Sequence, residues 1–153
     1  MKKWIAAVLI AGLMLFNTAC TVEHTSTTNV EVEVTQGEEN EAATPLEAAA
    51  YAIAADLHEN WSGDYNVSYT EEETTVYVQC WDDNIDSETI ADITNWDEML
   101  DSFGAISDMC LACLAAEGVE DGHAMVQYVA DGEEDAESFL NLYDGEITYS
   151  YFE

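Results

Sequence analysis

Four cysteines, three histidines and a large excess of carboxylates define the chemistry this chain could carry. Cys110-Leu111-Ala112-Cys113 has C-x-x-C spacing. A thioredoxin-type pair lies where a strand feeds a helix N-terminus, whose positive end lowers the thiol pKa. Here the pair falls late in a long helical pattern, near the negative end of the dipole, so both residues read as small buried apolar side chains. Cys80 and Cys110 are a candidate disulfide in an oxidising compartment, provided the long helix covers the strand that carries Cys80.

The carboxylates suggest metal before catalysis. Asp82, Asn84 and Asp86 alternate as in the first half of a calcium loop, but Ser87 stands where the loop needs Gly and Ile93 where it needs Glu. Asp131, Glu133 and Asp135 alternate likewise, with Ala136 and Leu142 in those places. Both stretches read first as polar turns, and calcium is the candidate cofactor if either does more. His24, His58 and His123 fall in no motif for nucleophilic or zinc chemistry, and no phosphate-cradling glycine loop is present. A hydrolase would need two carboxylates converging in a pocket, which spacing alone cannot reveal among so many. Non-enzymatic binding is the stronger expectation.

Charge narrows the partners. The chain has 33 Asp and Glu against two basic residues, Lys2 and Lys3. Without those two lysines the formal charge moves from −31 to −33, and no Lys or Arg is left. Such a surface cannot neutralise phosphates, so nucleic acid is excluded as a partner. Electrostatic attraction to anionic lipid is excluded for the same reason. Cations, basic proteins and amine-bearing wall material remain. With almost nothing to pair with, the carboxylates should repel one another, so folding should raise their pKa values and mild acid should favour the folded state.

The elements that must position these residues are legible from capping and periodicity. Thr44-Pro45-Leu46-Glu47 is a capping box with proline at the first helical position. Leu46, Ala49, Ala50, Ile53, Ala54, Leu57 and Trp61 then recur at helical spacing, and Ser62-Gly63 ends the run. Strands are expected over residues 65–70 and 74–81, joined by an acidic turn at 71–73. A second helix starts from Thr94 with Asp97 at N3 and ends at Gly118. Its apolar stripe is Trp96, Leu100, Phe103, Ile106, Cys110 and Leu114. Strands at 123–130, 138–143 and 146–152 close the chain, with Asp144-Gly145 as a two-residue hairpin turn. The order α-ββ-α-βββ predicts an α+β domain, a mainly antiparallel sheet with two helices on one face.

Alternation assigns Val67, Tyr69, Val76, Val78, Cys80, Leu140, Leu142, Ile147, Tyr149 and Tyr151 to the helix-covered face. The opposite face then carries hydroxyls, amides and a few aromatics, among them Tyr77, Gln79, Trp81, Tyr143 and Phe152, and no carboxylate. A neutral face in so acidic a chain suits a glycan, a peptide strand or a partner protein.

The N-terminus supplies an address. Met1-Lys2-Lys3 precedes an uncharged run from Trp4 to Phe16, the layout of a secretory signal peptide and too short for a comfortable membrane span. The run ends at Asn17-Thr18-Ala19-Cys20, which resembles the lipobox of bacterial lipoproteins, with Asn17 where that family usually has Leu. The resemblance implies cleavage before Cys20 and lipidation of Cys20, with the protein anchored in the cell membrane on its outer face, or in the periplasm of a Gram-negative cell. Residues 20–43, rich in Thr, Glu and Asn, read as an acidic tether, although Val30, Val32 and Val34 alternate as in a strand. The domain at 44–153 loosely resembles small acidic surface lipoproteins of unknown function, a resemblance that carries no site residues.

Overall fold

The computed structural model describes Val30, Glu31 and residues 42–152, apart from Ser87, Thr94, Glu134 and Asp135. The signal-like segment, Cys20 and most of the expected tether lie outside the described residues.

Helix α1 spans Pro45–Asn60, and the predicted cap is in place: Thr44 Oγ1 accepts from the Glu47 N–H at 3.1 Å. Its apolar stripe is buried from Leu46 to Leu57, with Trp61 half-buried at the C-cap. Helix α2 spans Trp96–Ala116, and its N-cap is Asn95, which makes no side-chain cap bond. The Thr94 cap lies outside the described residues. The helix ends in a Schellman motif, with Gly118 N–H bonded to Ala115 O, Val119 N–H to Leu114 O, and Gly118 at φ +74°.

Among the described residues six strands form one sheet in chain order: β1 Val30–Glu31, β2 Asp64–Thr70, β3 Thr75–Trp81, β4 His123–Val129, β5 Ser138–Tyr143 and β6 Glu146–Ser150. The domain is α+β with a mostly antiparallel sheet, as the element order predicted. Only β3 and β4 run parallel. They are joined through α2, which returns the chain to the starting end of β3, as a crossover between parallel neighbours requires. Val30 and Glu31 pair with Tyr69 and Ser68, so the alternating valine segment begins as an edge strand where a tether was expected. The hairpin at Asp144-Gly145 has both residues at positive φ, and Tyr143 pairs directly with Glu146.

Both helices pack on each other and on the sheet. Val67, Val76, Val78, Cys80, Ala124, Val126, Leu140 and Leu142 meet α1 and α2 in the core. Along α2 the buried line is Phe103, Ser107, Cys110, Cys113 and Leu114, while Leu100 and Ile106 are only half-buried. The stripe is thus turned slightly from the expected one, and it buries a serine.

Two bulges reshape the far side of the sheet. Tyr128 pairs with Leu140 and Val129 with Ser138, so Phe139 is an extra residue and its ring reaches Tyr128 at 5.6 Å between centroids. In β6, Ile147 pairs with Leu142 but Tyr149 pairs with Asn141, so Thr148 is the extra residue. Its hydroxyl bonds Asn141 O at 3.2 Å. A one-residue insertion exchanges the two faces of a strand. Tyr149 therefore shares its side with Asn141, and Ser150 turns towards the core beside Leu140. The assignment of Ile147, Tyr149 and Tyr151 to the covered face is corrected: all three are exposed. The helices leave Ile147 uncovered at the sheet edge, and the bulge removes Tyr149 from that face.

Candidate functional site

The uncovered face of the sheet is organised in rows. Asn66, Gln79, Gln127, Asn141 and Tyr149 lie in register across β2 to β6. Within this row Gln79 Nε2 donates to Gln127 Oε1 at 3.4 Å, and Gln127 Nε2 donates to Asn141 Oδ1 at 3.1 Å. Ser138 Oγ also donates to Asn141 Oδ1. The next row is Ser68, Tyr77, Met125, Tyr143 and Glu146. Tyr77 donates its hydroxyl to Glu73, and that bond, more than burial, pushes its pKa up to about 12.

Tyr77, Gln79 and Tyr143 thus lie together on this face, as the alternation predicted. Trp81 marks its corner, opposite Asp64, and its ring lies so close over Gly132 that a Cβ there would fall 2.7 Å from it. Phe152 does not belong to the face. The strand ends at Ser150, and Phe152 packs on Trp96 of α2 with centroids 4.8 Å apart. The expectation of a face without carboxylates holds for the amide row, but Glu146 ends the row of Tyr77 and Asp64 pairs with Trp81.

The most distinctive surface is one that alternation concealed. Among the described residues the exposed large hydrophobic side chains are Tyr143, Ile147, Tyr149, Tyr151 and Phe152, at 36–46% exposure, and all belong to β5, β6 and the turn that follows. Among the described residues β6 is the last strand of the sheet, and its outer backbone edge has no neighbouring strand there. Ser150 lines a shallow cleft with Ile147, Thr148 and Tyr149, and its buried hydroxyl has no hydrogen-bond partner among the described residues. Trp96 Nε1, whose ring packs on Phe152, is also buried and has no hydrogen-bond partner among the described residues. Two of the exposed rings, Tyr151 and Phe152, are seated on other rings. Phe139 contacts Tyr151, Tyr151 contacts Phe152, and the series runs inward through Tyr128 and Phe103 at centroid spacings of 5.1–6.1 Å. The hairpin at the other end is held by Asp144, whose Oδ2 lies 2.7 Å from His123 Nδ1 and whose Oδ1 accepts from the Ala124 N–H. His123 stacks on Tyr143. The sequence signals for this edge were available in the Asp144-Gly145 turn and the aromatic run behind it, but the bulge at Thr148 has no such signal.

The acidic loops bind their own backbone. Asp82 Oδ1 accepts from the N–H and side-chain amide of Asn84, which holds its pKa below the usual carboxylate range. Asp86 Oδ1 accepts from the Thr89 hydroxyl, Thr89 N–H and Glu88 N–H, with the same effect, and so closes the turn that leads into the 3-10 helix Ile90–Asp92. Asp131 accepts from Glu133 N–H, and Asp135 lies outside the described residues. Among the described residues no three His, Cys, Asp or Glu side chains gather as metal ligands.

Cys80, Cys110 and Cys113 are buried and unbridged. Burial pushes the Cys80 thiol up to about 12 and Cys113 to about 11. Cys110 is raised further by burial and, to a lesser degree, by the neighbouring Cys113 and Cys80 thiols. Thiols this hard to ionise are poor nucleophiles. The candidate pair Cys80 and Cys110 is unbridged in this structure.

Comparison of the chain with protein-family models, with curated proteins and with solved structures returned no match.

Proposed function

We propose that this chain is a non-enzymatic binding module, exported and anchored through Cys20 at the outer face of a membrane, and that it captures an extended peptide segment of a partner protein along β6. The observation that carries this reading is that, among the described residues, the exposed large hydrophobic side chains are confined to β5, β6 and the turn after them, in a chain of formal charge −31. An open strand edge offers main-chain hydrogen bonds, and alternate side chains of an added strand meet the flanking rings. The seated rings lower the cost of ordering the surface on binding. The surrounding acidity favours a segment that is neutral or basic.

The test is selection from a library of extended peptides against the full chain, followed by binding to variants. Ile147→Ala with Tyr149→Ala should weaken the selected peptides roughly 10- to 100-fold, the scale of losing central interface side chains. Tyr77→Ala with Trp81→Ala, in the middle and corner of the open face, should leave them nearly unchanged. The reverse pattern would move the ligand onto the amide row and favour a neutral glycan. Loss in neither pair would end the binding-edge reading.

A further inference from the structure

On the opposite layer of the molecule, α1 and α2 lie side by side with a groove of about 870 Å³ between them, open to solvent. Its floor is apolar, with Leu57, Ile106 and Met109 among its side chains. Alanines at 52 and 55 on α1, and at 105 and 112 on α2, keep both helices bare along the groove. Small side chains let a further helix approach at the usual axial spacing of ~8–10 Å. The lined stretch covers about two helical turns on each wall. The rims are acidic on both sides: Asp56 and Glu59 come from α1 and Asp108 from α2, and no basic residue lines the groove.

Asp56 is the informative rim residue. It is half-buried, and its carboxylate accepts from Asn60 Nδ2 at 3.2 Å. Burial, with help from Glu59, pushes its pKa up. A carboxylate withdrawn from water beside an apolar floor, without a cationic partner, is stabilised by whatever brings one.

We propose that this groove seats the apolar face of a cationic amphipathic helix from a partner, whose Lys or Arg side chains meet Asp56, Glu59 and Asp108. Charge complementarity selects this occupant. A second copy of the chain offers no Lys or Arg after Lys3 and would set carboxylates against carboxylates. A helix with alternate apolar and basic faces matches both floor and rims, and the acidity of the whole molecule steers it inward. The site is independent of the β6 edge, so either can fail without the other.

The experiment titrates the full chain with a ~14-residue helical peptide of Leu and Lys carrying one apolar face, at moderate salt, against a peptide of the same composition in scrambled order. The faced peptide should bind at least ~10-fold more tightly than the scrambled one. Ala112→Glu adds negative charge but interrupts the floor at an exposed position, and it should weaken the faced peptide ~10-fold. Diffuse attraction predicts the opposite: equal binding of both peptides, and unchanged or tighter binding to Ala112→Glu. Either of those results would overturn the proposal. If Ala112→Glu loses helical circular dichroism, Ala55→Glu, exposed on the other wall, decides the question by the same criterion.

Discussion

Ser107 is fully buried on α2 and its hydroxyl has no hydrogen-bond partner among the described residues. Folding strips water from that group and returns nothing for it. Ser107→Ala should therefore stabilise the domain by about 1 kcal/mol, read as a higher urea midpoint at unchanged slope. A loss of stability would mean that the hydroxyl bonds something. The same residue shows a limit of the sequence reading. Helical periodicity placed Ile106 in the core line, yet the neighbouring serine takes the interior position and Ile106 stays half-buried in the floor of the α1–α2 groove. Hydrophobicity could not choose between two adjacent positions where the partner helix, rather than the pattern, sets the rotation.

At the level of elements, caps and turns were the most legible features. Thr44 and Glu47, the Asp144-Gly145 hairpin and the end of α2 at Gly118 all occur where local chemistry required them. Local signals suffice there because each rests on one or two backbone dihedrals. Gly118 offers a clean measure: an added Cβ meets nothing within 4 Å, so only its φ of +74° resists a side chain. Gly118→Ala should cost about 1 kcal/mol from backbone strain alone, measurable by denaturant unfolding. Much larger destabilisation would point to a packing role that this geometry lacks. The features that alternation missed are those that break it. Phe139 and Thr148 each insert a residue, and nothing in their side chains announces a bulge. The consequence reaches the site itself, because the insertion at Thr148 is what brings Tyr149 out to the open side and buries Ser150. The parallel pairing of β3 with β4 was hidden for a different reason: it depends on where α2 delivers the chain, a tertiary choice.

At the scale of the whole molecule, acidity was expected to raise carboxylate pKa values throughout. The structure divides the effect. Asp56 is raised by burial and by Glu59, whereas Asp82 and Asp86 are lowered by hydrogen bonds to Asn84 and Thr89. A raised native pKa means that the folded form binds the proton first, so stability gained from Asp56 grows as pH falls from neutral towards the ordinary carboxylate range. The lowered pair works in the other direction, contributing stability above that range that is lost as pH falls through their folded pKa values. Thermal stability should therefore rise on mild acidification, pass a maximum and fall in stronger acid. Asp56→Asn should reduce the rise and spare the fall. A rise of equal size in Asp56→Asn would place its origin in the diffuse charge of the chain instead. The central claim, that β6 is an open edge awaiting a strand, is tested most directly by amide hydrogen exchange of the full chain with and without the tightest library-selected peptide. Exchange should slow across residues 146–150 and leave the outer surfaces of α1 and α2 unchanged. Protection confined to the helices or to the central rows of the sheet, with β6 exchanging as before, would contradict it.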